Sequence, residues 1–200
     1  MLSLAALSLS LLAASAVAQN TVQSADFNLI LTSTTNSTLN GSYLSACHTG
    51  AAIESLCLSS QFPIAPGVFN FNTSQYNVTY NATLGEPGWV TYMLRGGNFN
   101  WSEPLGLSYN YDSNVALPLF YPGTDQAVQF AFDPSDNLHI QSYVDDTVFP
   151  VAIETRAYYR WYLCNTYYTA YTYQNLVWVM GKYPPQNPTC TPVGVKRVFI

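Results

Sequence analysis

Charge is scarce in this 200-residue chain: 8% of its residues are Asp, Glu, Lys or Arg, and only six are Lys or Arg. With a formal net charge of −5 and no basic cluster, it lacks the surface that neutralises phosphates, which excludes nucleic acid as a partner. Anionic membrane surfaces are excluded on the same ground. Histidine is scarcer still. His48 adjoins Cys47, and His139 lies in an alternating segment; neither has a metal-binding spacing or a nucleophile motif beside it. There is no C-x-x-C pair and no G-x-S-x-G elbow, which removes the usual zinc and α/β-hydrolase signatures. A wall-degrading copper monooxygenase needs histidine at its mature N-terminus, and the residue expected there is Gln19. No catalytic residue, metal or cofactor is therefore assigned.

Long apolar runs are also missing, apart from Met1–Ala18, which ends in Ala16-Val17-Ala18. That is the A-x-A pattern of a cleaved signal peptide, and the run stops short of the roughly 20 apolar residues of a membrane span. Residues 1–18 are read as the signal peptide and 19–200 as a single secreted domain, extracellular or in the cell wall. What the chain has in abundance is N-x-S/T. Six sequons, at Asn36, Asn40, Asn72, Asn77, Asn81 and Asn100, mark candidate N-glycan sites and hence a hydrated surface. Four cysteines follow the leader. An even count in an exported chain favours disulfides, and of the three connectivities the local pairs Cys47–Cys57 and Cys164–Cys190 are preferred. Each such loop is worth about 3 kcal/mol in the chain-entropy picture.

The hydrophobic period is two. In Tyr76–Leu84, Tyr76, Val78, Tyr80, Ala82 and Leu84 share one side while Asn77, Thr79, Asn81 and Thr83 share the other, the pattern of a half-buried strand. Further strands are expected at Phe27–Thr32, Ser42–His48, Trp89–Leu94, Leu105–Tyr111, Val115–Phe120, Val128–Phe132, Leu138–Val144, Arg156–Cys164, Ala170–Met180 and Val193–Phe199. Thr49–Leu56 reads as a short helix or turn. Roughly ten short strands between Gly- and Pro-rich turns predict an all-β antiparallel sandwich or barrel, with a β-trefoil as the alternative. The last strand, tethered by Cys190, is an edge or closing strand.

Two groups of residues bear on function. Tyr158–Met180 is dense in aromatics, and Tyr159, Trp161, Tyr168, Tyr171, Tyr173 and Trp178 are its candidates for stacking on sugar rings. The competing reading packs these rings in the core, since aromatics favour strands for that reason alone. Glu54, Glu86, Glu103 and Glu154 are the four glutamates, and a glycan-active hydrolase would bring two of them together. Asp133, Asp136, Asp145 and Asp146 form the densest acidic group, in turn rather than calcium-loop spacing.

Trp161-Tyr162-Leu163-Cys164, Tyr171-Thr172-Tyr173-Gln174-Asn175-Leu176-Val177-Trp178 and Asn187-Pro188-Thr189-Cys190 resemble an uncharacterised family of small secreted proteins of filamentous ascomycete fungi. Leu39–Leu44 and Ser113–Phe120 extend that resemblance over most of the chain. A more distant similarity is to fungal cell-wall proteins of the phialide-development type. The resemblance implies secretion and a β-rich domain and carries over no active residues. The resulting expectation is a non-enzymatic structural or interaction protein of the wall or extracellular space. The alternatives are a carbohydrate-binding module or host-directed effector, with wall polysaccharide or host glycans as partners, and a hydrolase with paired glutamates.

Overall fold

The structure is a computed structural model that describes residues 21–61, 65–74 and 80–200. The expected signal peptide, the sequon at Asn77 and the first part of the expected strand Tyr76–Leu84 lie outside the described residues. The strands are β1 (Thr21–Gln23), β2 (Phe27–Thr32), β3 (Leu44–Gly50), β4 (Ile53–Leu58), β5 (Phe69–Ser74), β6 (Gly88–Arg95), β7 (Asn100–Tyr109) and β8 (Val115–Phe120). They continue with β9 (Ala131–Phe132), β10 (Leu138–Asp145), β11 (Ala152–Tyr158), β12 (Trp161–Tyr168), β13 (Tyr171–Val179), β14 (Thr191–Pro192) and β15 (Gly194–Phe199). Among the described residues no helix is long and apolar enough to cross a membrane.

One antiparallel sheet runs in the order β14-β12-β13-β4-β8-β7-β6-β5-β2-β15, with β1 added beside β5 and β3 beside β4. Its two ends meet on one stretch of chain. β14 pairs with β12 through Tyr162 opposite Pro192, and two residues later β15 pairs with β2 through Gly194 opposite Thr32. Between them the Val193 N–H donates to the Trp161 carbonyl at 3.1 Å. The last strand thus closes the sheet into a nearly complete barrel, which leaves few unpaired edges. Cys190, bonded to Cys164, anchors this strand one residue before the seam. The second bridge, Cys47–Cys57, ties β3 to β4.

The interior follows from alternation. Phe27, Leu29 and Leu31 of β2 and Phe69 and Phe71 of β5 point inward, and their partners Asn70 and Asn72 lie at the surface or half-buried. The Phe27 ring meets Phe69, Phe132 and Phe199 at 6.4, 5.6 and 6.1 Å, and Phe69 stacks on Phe120 at 5.7 Å. β8 is apolar along its whole length and buried on both faces. Ala116 and Phe120 join the barrel core, whereas Val115, Leu117 and Leu119 form a second layer outside it with Cys164 and Val177. Pro118 sits where the neighbour of β8 changes from β13, at Val115 and Ala116, to β4, at Leu119 and Phe120; a residue without an N–H is tolerated at such a break. The small sheet β11-β10-β9 covers one side, sending Phe132 and Leu138 into the core beside Phe130, which lies just before β9 and bridges to Gly88. Gly85, at φ +75°, passes so close to the Phe132 carbonyl that a Cβ would overlap it, so only glycine fits.

Three expectations change. Of the helix or turn expected at Thr49–Leu56 only a turn at Ala51 and Ala52 is present: Thr49 and Gly50 end β3, Ala52 turns the chain at φ 53°, and Ile53 opens β4. Pairing with β3 on one side and β8 on the other outweighs the helix-like composition of this stretch. Of Tyr76–Leu84, the described part, Tyr80–Leu84, is a turn rather than a strand. There Asn81 Oδ1 accepts from the Thr83 N–H at 3.0 Å and the Thr83 hydroxyl at 2.7 Å, an Asx-turn that bends the backbone out of extension. Arg156–Cys164 is two strands, broken at Tyr159 and Arg160.

Replacing Cys164 and Cys190 together by Ser should lower unfolding free energy by about 2–5 kcal/mol and speed amide exchange along Gly194–Phe199. The same change at Cys47 and Cys57 should leave exchange in that strand unaltered. Equal protection of the strand with and without the Cys164–Cys190 bridge would refute its role in closure.

Candidate functional site

The aromatic hairpin β12–β13 divides by register. Trp161 lies opposite Trp178 and Leu163 opposite Leu176, on the inward face, while Cys164 and Tyr168 lie opposite Asn175 and Tyr171 on the outer one. Trp161 and Trp178 are therefore core residues, 1% and 5% exposed, with rings edge-to-face at 4.8 Å. Trp161 also stacks on Phe130 at 6.1 Å and donates its indole N–H to the Leu138 carbonyl at 2.8 Å. Neither indole is positioned to stack on a ligand, which corrects their selection as sugar-binding candidates.

Tyr159 stands apart, in the turn between β11 and β12. Its ring lies 5.1 Å from His139 and its hydroxyl donates to Asp133 at 2.9 Å; burial and that carboxylate push its pKa up to about 12. The remaining three candidates gather at the hairpin tip. Tyr171 and Tyr173 are stacked at 6.0 Å with only 12° between their planes, and the edge of the His48–Tyr171 pair closes at 5.3 Å. The Tyr173 hydroxyl donates to the His48 carbonyl at 2.9 Å, and the Thr169 hydroxyl donates to that of Thr49. Tyr168 and Tyr121 share a hydroxyl–hydroxyl hydrogen bond of 2.8 Å, and Tyr167, on the other face of β12, is exposed. Side-chain anchors on β3 thus hold a tyrosine platform at the tip, with the Tyr171 and Tyr173 ring planes parallel, Tyr171 exposed and Tyr168 and Tyr173 half-buried. Such rings offer an apolar face and polar edges together. His48 and Tyr121 were not among the aromatic candidates; only the tertiary contact of the tip with β3 and the end of β8 joins them to it.

The glutamates divide as well. Glu54 lies opposite Phe120 on β4, and Glu103 opposite Tyr92 on β7. Both point into the barrel, 6% and 0% exposed, and their carboxyl groups are in hydrogen-bonding contact with one another. Neither has a salt bridge among the described residues, and Glu54 Oε2 and both Glu103 oxygens find no N–H or hydroxyl donor. Burial, then the neighbouring Glu54, pushes Glu103 up to about 8, and burial raises Glu54 too. The pair consequently holds a proton at neutral pH, as like charges sharing one site must. Carboxyl groups in direct contact are closer than the about 5–5.5 Å of a retaining glycosidase or the about 6.5–9.5 Å of an inverting one. Glu86 lies in the loop before β6, and Glu154 is exposed and paired with Arg156 at 2.7 Å.

The acidic group does not converge. Burial tends to raise Asp133, but hydrogen bonds from Asn137, Tyr159 and Ser135 outweigh it and hold the carboxyl below its usual range. Asp136 pairs with Arg197 at 2.8 Å, and Asp145 accepts from Thr147. His139 is wholly buried, and burial holds its pKa below the ordinary histidine value. Of the described sequons, Asn40, Asn81 and Asn100 are exposed and Asn36 and Asn72 half-buried. Asn36 repeats the Asn81 turn, its Oδ1 accepting from the Thr38 N–H at 3.1 Å and hydroxyl at 2.6 Å.

The sign of the pH effect follows from Glu103. From 4.5, its usual value, to about 8 the folded state keeps a proton that the unfolded chain has released. Its contribution is thus complete below 4.5 and is lost as pH rises through 8. His139, depressed when folded, contributes above its usual 6.5 and loses that on acidification, so it is silent on the alkaline side. Thermal melts should show stability falling from pH 7 to 9, and Glu103→Gln should flatten the fall and exceed wild type at pH 9. A wild-type melt independent of pH over that range would contradict the shared proton.

A family profile described as Domain of unknown function (DUF7907) matches residues 24–199, and the chain belongs to that family. No curated protein and no solved structure matches it.

Proposed function

Starting from membership of a family whose description names no activity, we propose that this chain is an exported, glycosylated β-barrel that works by binding rather than catalysis. The tyrosine platform of Tyr168, Tyr171 and Tyr173 is its contact surface for glycan, whether wall polysaccharide or a host sugar. One observation carries the reading: the parallel Tyr171 and Tyr173 rings, held in place by anchors on His48 and Thr49. Ring faces fixed before binding lose little entropy on contact with a sugar. Export is supported by the A-x-A leader and the sequons, and by two disulfides of the kind that persist in oxidising compartments.

The Glu54–Glu103 pair favours a second reading, acid–base hydrolysis, because a shared proton is how carboxyl dyads act. Its enclosure among Phe120, Tyr92 and Leu105 and its short separation weigh against that role, and the binding reading is preferred.

Co-sedimentation with insoluble chitin, β-glucan and cellulose tests the proposal. The secreted protein should bind at least one, and Tyr171→Ala with Tyr173→Ala should weaken binding by about tenfold or more, since each stacking contact is worth about 1–3 kcal/mol by analogy with base stacking. Circular dichroism should be unchanged, because these rings lie outside the core. Binding undiminished in the double variant, or hydrolysis of the polymer that Glu103→Gln abolishes, would overturn it.

A further inference from the structure

A groove of about 440 Å³ lies on the closing seam of the barrel. Its walls come from the end of β2, the β11–β12 turn, the residues just after β13 and the segment Pro192–Gly194. It shares no residue with the tyrosine platform. Although the chain carries a net charge of −5, no Asp or Glu lines this groove, whereas Arg160 and Lys182 do, two of the six cations in the whole sequence.

Among the described residues neither cation forms an ion pair, and Asp145 acts on Arg160 only at longer range. Ion pairs among the described residues use Arg156 and Arg197, with Asp145, Glu154 and Asp136. The Arg160 guanidinium instead lies 4.7 Å from the centre of the Tyr158 ring, and no side-chain hydrogen bond occupies it. A guanidinium resting on a ring keeps its N–H edge available for a planar acceptor, which it binds through two parallel hydrogen bonds. Three tyrosines, Tyr159, Tyr162 and Tyr183, and the hydroxyl-bearing Ser33 and Thr34 line the same groove. Aromatic faces, hydroxyl groups and cations in one cleft match a sugar ring that bears a carboxylate. The groove volume is within the range of small-ligand sites, about 300–1,000 Å³.

We infer that this seam groove is a binding site for an acidic saccharide of the uronate type, with Arg160 and Lys182 holding the carboxylate and the tyrosines lying against the sugar. The sequon at Asn40 stands on its lip, so a glycan there would border the site. The inference does not depend on the platform at the hairpin tip.

Calorimetric titration of the secreted, endoglycosidase-trimmed protein with tetragalacturonate, and with an uncharged tetrasaccharide, tests it. The acidic ligand should bind at least about tenfold more tightly than the neutral one, as loss of a charge-assisted pair implies, and added salt should weaken it. Arg160→Ala with Lys182→Ala should remove that preference. Arg160→Lys, which keeps the charge and loses the fork, should retain part of the affinity in a protein with unchanged melting behaviour. Tyr171→Ala with Tyr173→Ala should leave it intact, which separates this site from the platform. Equal affinity for neutral and acidic ligand, no binding of either, or displacement of tetragalacturonate by equimolar inorganic sulfate would overturn the assignment.

Discussion

Closure of the barrel by its last strand is the constraint on which the rest depends. β14 and β15 are one stretch of chain that pairs first with β12 and then with β2. Without it both ends of the sheet would expose unpaired N–H and C=O groups, a template for association. The Cys164–Cys190 bridge holds the start of that stretch on the hairpin and shortens the loop that the pairing must close. The Phe27 cluster, with Phe199 of the closing strand in contact, is sealed by the same event. Packing and pairing therefore reinforce one another here, in a chain too poor in charge to rely on ion pairs.

Closure also sorts the surface. It turns Trp161 and Trp178 inward and commits them to the core, and leaves the far end of the same hairpin held against the end of β3. There the rings cannot be buried by the sheet, so they pack on each other, on His48 and on Tyr121. The seam itself leaves a cleft where the closing strand changes partner. Both candidate contact surfaces are by-products of how the sheet shuts, one at the hairpin tip and one at the join.

Much of the fold was legible in the residues. Phe27–Thr32 and Val115–Phe120 have the bounds expected of them, the first because its apolar residues end at the polar Thr32–Thr35 stretch, the second because an uninterrupted apolar run has both faces covered. The disulfide pairs follow from local spacing. β4 was missed because Ala51, Ala52 and Glu54 compose like a helix, and nothing local shows that Glu54 will face another carboxyl inside a barrel. The strand reading of Tyr80–Leu84 failed because the sequon asparagine caps its own turn through Thr83, a side-chain bond that alternation does not encode. The aromatic hairpin was visible, but not its inward face: period two gives two faces, and only register with β4 and β8 decides between them. The seam groove had no local signal, since its residues come from four distant segments.

The central proposal is that glycan meets this protein at the tyrosine tip of a nearly closed barrel. Aromatic proton chemical shifts, followed by NMR during titration with a soluble oligomer of whichever polysaccharide is bound, test it most directly. The account predicts shifts confined to Tyr168, Tyr171, Tyr173 and His48, with the indoles of Trp161 and Trp178 unmoved. Shifts centred on those two indoles, or saturation with none at the tip, would contradict it.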